Sequence, residues 1–224
     1  MSLIELKNLT IGHSGKIAAR DINASIENGD FVCIVGPNGA GKSTLVQTIL
    51  GNIQPISGKV VMEGISRQEI GFIAQDFAPL ADFPATVEEI VLSGTLNQLK
   101  HKWHYDTIAR KKTASALKTM RLSALSKSLF AELSGGQKQK TLLARALAAT
   151  SKLLILDEPS NNLDRKSVKE LYQTLNRLNQ EGITIIMITH DLDHGNLIGN
   201  KILSLSDEIF YGSVSDFVRK VHHE

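Results

Sequence analysis

Phe31-Val32-Cys33-Ile34-Val35-Gly36-Pro37-Asn38-Gly39-Ala40-Gly41-Lys42-Ser43-Thr44 is the stretch that decides the fold. Its first five residues are apolar and rich in β-branched side chains, which predicts a strand buried on both faces. Gly36, Gly39 and Gly41 then let the backbone bend so that several N–H groups face one point. From Lys42 the chain reads as a helix that runs to Leu50 and stops at Gly51. A strand, a glycine-rich turn and a helix opening on lysine and a hydroxyl make a phosphate-binding loop. Gly36, Pro37, Asn38, Gly39, Ala40, Gly41 and Thr44 form its cradle. Lys42 supplies a point charge to outer phosphates, and the Ser43 hydroxyl is placed for magnesium.

Working outward, short segments rich in Ile and Val predict strands at Leu3–Leu9, Ile17–Ile26, Lys59–Met62, Ile70–Ala74, Leu153–Leu156, Thr184–Ile188, Lys201–Leu205 and Glu208–Tyr211. Ser167–Gln180 carries Val168, Leu171, Leu175 and Leu178 on one face and ends before Gly182, as an amphipathic helix does. Strands separated by helices predict a parallel sheet. The closely spaced early strands predict a small antiparallel lobe at the N-terminal side. Between Thr86 and Ala149 no strand pattern appears. Thr86 and Glu89 spell a capping box, Tyr105–Leu122 is basic and amphipathic, and Leu142–Leu147 is the apolar body of another helix. The expected fold class is α/β: a P-loop NTPase core with a parallel sheet, an N-terminal antiparallel β lobe and an inserted helical subdomain. One domain over 1–224 is expected, with 1–85 and 150–224 as core and lobe and 86–149 as the helical subdomain.

A second phosphate cradle appears at Leu133-Ser134-Gly135-Gly136-Gln137, where two glycines behind a serine open an apolar helix. One nucleotide needs one cradle, so the second one raises the question of where its phosphate comes from. Leu153–Leu156 ends in Asp157 and Glu158: the first suits magnesium, and the second suits a base that polarises an attacking water. His190 follows the strand Thr184–Ile188, where an imidazole reaches a terminal phosphate. His190 and His194 have the i, i+4 spacing of a zinc pair, but no glutamate stands between them and no cysteine lies near. Gln75, after the strand Ile70–Ala74, can reach magnesium or water.

Bulk properties exclude other classes. Net charge is +2, too mild to argue for nucleic acid as a partner. Hydrophobic residues make up 42%, an ordinary globular value, and the longest apolar runs are strand-sized, short of a membrane span. The N-terminus has no secretory pattern, so a cytoplasmic location is expected. Cys33, the one cysteine, forbids an internal disulfide and reads as a small core residue.

Gly36–Thr44, Gln75, Leu133–Gln137, Leu153–Glu158, Ser160–Asp164 and His190 stand in the order and spacing of ATP-binding cassette (ABC) ATPases, and the chain resembles that family over essentially its whole length. The resemblance answers the question of the second cradle. It implies that Ser134, Gly135, Gly136 and Gln137 are a signature motif contacting the γ-phosphate of an ATP held by the phosphate loop of a second copy. The expected assembly is therefore an ATP-dependent head-to-tail homodimer, with ATP and Mg²⁺ as cofactors. Glu158 is then the general base, His190 stabilises the hydrolytic geometry beside Lys42, and magnesium falls to Ser43, Gln75 and Asp157. Asp164 lies at the dimer seam. Gln75 couples nucleotide state to integral membrane permease subunits on the cytoplasmic face of the membrane, and a solute-binding protein acts indirectly. Phe77, Leu80 and Phe83 are candidate permease contacts.

Two positions depart from the family pattern. His13 stands where an aromatic stacks on adenine, and Lys140 where arginine is common. The segments 83–94, 161–164 and 208–213 resemble the zinc and manganese uptake branch. An importer ATPase for one of those ions is the expected function. An iron-siderophore or other importer ATPase is the alternative, and a soluble non-transport ABC ATPase a more distant one. His101, His104, His222 and His223 read as solvated rather than as metal ligands.

Overall fold

The computed structural model describes residues 2–13, 15–75, 84–98, 105–150, 152–161, 163–190, 198–206 and 208–223. In chain order the early elements are β1 (Ser2–His13), β2 (Lys16–Glu27), β3 (Phe31–Val35), α1 (Lys42–Leu50), β4 (Ser57–Met62) and β5 (Ile70–Ile73). Then come α2 (Val87–Ser93), α3 (Thr107–Thr119), α4 (Gly135–Ala149), β6 (Leu153–Asp157) and α5 (Arg165–Gln180). The last are β7 (Thr184–Ile188), β8 (Lys201–Ser204), β9 (Phe210–Ser213) and α6 (Val214–His223). The chain forms two compact units, Met1–Arg67 with Leu175–Glu224, and Gln68–Thr174.

The first unit holds two kinds of sheet. β1 lies between β2 and β4, antiparallel to both, which is the small lobe the strand spacing predicts. β3 runs parallel to β7 and β8, pairing Cys33 with Met187 and Ile34 with Leu203, and β9 closes antiparallel on β8. All five residues of β3 and of β7 are buried, which is why both read as unbroken apolar runs. Leu45, Val46 and Ile49 bury one side of α1.

In the second unit β5 and β6 pair in parallel, Phe72 beside Ile155. Among the described residues α2, α3 and α4 lie between them and account for the helical stretch. At the start of α2 the Thr86 hydroxyl accepts from the Glu89 N–H at 3.3 Å, and the Glu89 carboxylate accepts from the Thr86 N–H at 2.8 Å. These bonds hold the Glu89 carboxyl below the usual carboxylate range, the Thr86 backbone N–H contributing most. α4 packs directly on β5: a Cβ at Gly71 would collide with the Ala146 carbonyl. That packing groups β5 and β6 with the helices in the compact unit 68–174.

Several boundaries differ from the sequence expectation for local reasons. β1 continues past Leu9 to His13 because Ile11, Gly12 and His13 pair with Ala19, Ile17 and Lys16 across a tight hairpin. α3 is shorter than 105–122, since Asp106 caps it through the Ala109 N–H at 2.9 Å and Met120 ends it. α5 starts two residues before Ser167 because Asp164 caps it. β9 begins at Phe210 rather than Glu208, and α6 was not predicted.

Candidate functional site

The phosphate loop lies in the first unit and is built from β3 outward. Gly41, at the N-cap of α1, has φ 95°, a left-handed conformation that glycine adopts without strain. A Cβ there would also come within 2.8 Å of Ala18 Cβ, so β2 closes one side of the loop. A Cβ at Gly36 would collide with the Leu205 carbonyl, and the Leu205 N–H donates to Val35 O at 2.8 Å, so the end of β8 closes the other. Lys42 is 6% exposed, and its Nζ donates to Gly36 O at 2.8 Å and Pro37 O at 3.0 Å. The loop therefore carries a desolvated ammonium held by its own carbonyls, a strong partner for phosphate oxygens. Ser43 is exposed at the helix start and Thr44 half-buried.

An open cleft of about 690 Å³ lies against the loop. Ile17, Ala18 and Arg20 of β2 line one wall, Pro37 and Asn38 of the loop another, and Ile209 contributes to a third. His13 is exposed at the end of β1 and does not line this cleft. His190 follows β7, and the Thr189 N–H donates to Ile34 O at 3.2 Å, continuing the β7–β3 register. That register sets His190 beside the strand end from which the phosphate loop departs.

The second unit carries the remaining candidates. Asp157 ends β6 with 5% exposure, and Glu158 follows at φ 48°. A left-handed non-glycine residue costs of order 1 kcal/mol, and such strain concentrates at functional sites. The Glu158 carboxylate Oε2 accepts from Gln75 Nε2 at 2.8 Å and from Asn161 Nδ2 at 2.6 Å. The structure thus brings Gln75 and Glu158 together, and adds Asn161, which sequence reasoning did not single out.

α4 opens with a second capping box. The Ser134 hydroxyl accepts from the Gln137 N–H at 3.4 Å, and Gln137 Oε1 accepts from the Ser134 N–H at 2.9 Å. Gly135 and Gly136 sit in the first turn, where N–H groups lack intrahelical acceptors. A Cβ at Gly135 would meet nothing within 4 Å, whereas one at Gly136 would lie 3.0 Å from Ser167 Oγ. Ser167 is held in turn by Asp164, donating its N–H to Oδ1 and its hydroxyl to Oδ2, both at 2.9 Å. These two bonds hold the Asp164 carboxyl below the usual carboxylate range. One turn further along α4, Lys140 Nζ meets Glu170 Oε2 of α5 at 2.9 Å, and this bond lowers the Glu170 pKa. Ser167 and Glu170 went unnoticed in the sequence because their significance is a contact across two helices.

Some expectations fall outside the described residues: Phe77, Leu80, Phe83, His101, His104 and His194. The side chains of His222 and His223 do as well. Among the described residues no three His, Cys, Asp or Glu side chains gather to hold a metal. Ser43, Gln75 and Asp157 offer a hydroxyl, an amide and a carboxylate, the hard oxygen donors that suit magnesium. Gln75 spends its amide N–H on Glu158, which leaves its oxygen as the end suited to a cation.

Comparison with known proteins identifies the family. Residues 19–161 match the ABC transporter family. The chain is 39% identical over 210 residues to a probable metal transport system ATP-binding protein of Chlamydia muridarum, covering 92% of this chain and 89% of that one. It is 35% identical to the high-affinity zinc uptake system ATP-binding protein ZnuC of Bacillus subtilis, covering 92% of this chain and 91% of that one. Among solved structures it superposes on a dimeric ATP-binding cassette in a post-hydrolysis state, bound to ADP and Pi. That match has a TM-score of 0.72 at 28% identity and covers 93% of this chain and 98% of the other.

Proposed function

This chain belongs to the ABC transporter family and is its ATP-hydrolysing subunit, and we propose that two copies close head to tail on two ATP molecules. Each copy gives its phosphate loop to one ATP and its Ser134–Gln137 run to the other. The observation that carries this reading is the asymmetry of the two glycines. Gly136 is packed against its own chain at Ser167, while Gly135 faces open space beside first-turn N–H groups. An anion-binding helix start that its own chain does not cover is what a partner's phosphate requires.

In this scheme the cradle of Gly36–Thr44 holds the phosphates and Lys42 shifts from the loop carbonyls to their outer oxygens. Glu158 accepts the proton of the attacking water, with Gln75 and Asn161 fixing its carboxylate, and His190 hydrogen-bonds the terminal phosphate. Ser43, Gln75 and Asp157 would hold magnesium, whose charge offsets that of the phosphates when it is bound. His13, the candidate the sequence offers for stacking on the base, stands exposed at the end of β1 and does not line the cleft beside the phosphate loop. Asp164, capping α5, lies at the seam between copies.

Among the described residues no helix is long and apolar enough to cross a membrane. We place the dimer on the cytoplasmic face of the membrane, docked on separate permease subunits that receive solute from a binding protein. Zinc or manganese is the cargo we propose; the relatives named for metal and zinc transport support a metal ion, zinc first. Reconstitution with the permease and binding protein in liposomes tests this. Zinc or manganese is expected to stimulate ATP hydrolysis severalfold, and stimulation by a ferric siderophore alone would contradict the cargo.

A further inference from the structure

We propose that Arg20 is the nucleotide-base contact of this protein, laying its guanidinium against the purine ring of the ATP held by the phosphate loop. The inference rests on the reading of that loop as the ATP site. Phosphates bound at the Gly36–Thr44 turn leave the nucleoside to extend along the adjoining cleft, whose volume of about 690 Å³ is in the range of ligand sites. A purine needs a flat surface to lie on, and aromatic rings usually supply it. None of the described residues lining this cleft is aromatic, and His13 is not among them.

What the β2 wall presents is apolar surface from Ile17 and Ala18, and then Arg20. Arg20 is exposed, is the one charged residue in that lining, and makes no ion pair or hydrogen bond among the described residues. Its guanidinium is planar and weakly hydrated, so it stacks on π systems where an ammonium does so less well. Ala18, two residues away, lies against Gly41 of the loop, which ties this stretch of β2 to the phosphate end of the cleft. An unengaged planar cation, on a wall fixed to the phosphate cradle, takes the place of the missing aromatic.

Calorimetric titration of the wild type, Arg20→Met, Arg20→Lys and Lys42→Ala with Mg-ATP and with inorganic triphosphate tests the proposal. Arg20→Met keeps the hydrocarbon stem and removes the planar head. It is expected to weaken ATP binding roughly two- to fivefold, the scale of an exposed cation–π contact, and to leave triphosphate binding unchanged. Arg20→Lys keeps the charge and is expected to recover only part of the loss. Lys42→Ala is expected to weaken both ligands. Unchanged ATP affinity in Arg20→Met, an equal loss for both ligands, or full recovery in Arg20→Lys would overturn the stacking role. Wild-type affinity for both ligands in Lys42→Ala would instead overturn the phosphate-loop reading itself.

Discussion

Gly135 and Gly136 are adjacent in sequence and serve different surfaces. Replacing Gly135 by alanine puts a methyl group into open space, so the fold is expected to keep its melting temperature, or gain slightly from alanine's better helix propensity. ATP hydrolysis is expected to fall at least tenfold, because in the proposed dimer the methyl group stands where the partner's phosphate approaches. Gly136→Ala pushes instead on Ser167 Oγ at 3.0 Å, and removing that oxygen in a Gly136→Ala, Ser167→Ala double variant is expected to restore stability. Thermal melts and ATPase assays on the three variants check both statements. At this scale the sequence was readable where chemistry is local: Lys42 and the loop glycines announce themselves by spacing. Cys33 was read as a core residue and is one, donating its thiol to Ile198 O at 2.8 Å with burial pushing its pKa up to about 12. Asn161 and Ser167 were not legible, because an asparagine near a turn and a serine in a helix look ordinary until their contacts are seen.

At the scale of elements, α4 and α5 hold the signature run and Asp164 in place. The capping box at Ser134 satisfies two N–H groups at the start of α4. Ser134→Ala in the nucleotide-free protein is expected to cost about 1 kcal/mol and to lower the melting temperature by roughly 2–4 °C. An unchanged melt would mean that the box does not stabilise the helix. The Lys140–Glu170 pair joins the same two helices, with both side chains more than a third exposed, so its own contribution is small. A single Nζ–Oε2 bond bridges α4 to α5 here. The capping box of Thr86 and Glu89 was legible because it is a short-range pattern. The start of α5 was missed because its cap, Asp164, was read only as a seam residue. The Gln75–Glu158 bond spans 83 residues, and no local pattern encodes a pairing of that range.

For the whole molecule, the ordered motifs from Gly36 to His190 conveyed the fold and the ATPase family, because each motif carries its own physical signature. The division at Arg67 and Thr174 was not readable, since it depends on α4 packing against β5 rather than on any linker in the sequence. The central claim is that half of each active site belongs to a second copy. The most direct measurement is the mass of Glu158→Gln in solution, with and without Mg-ATP, by size exclusion with light scattering. Removing the proposed base is expected to stop hydrolysis while leaving the cradle intact, so the variant is expected to shift from one 24.5 kDa chain to twice that mass when ATP is added. A variant that binds ATP one to one and still runs as a single chain would contradict the account.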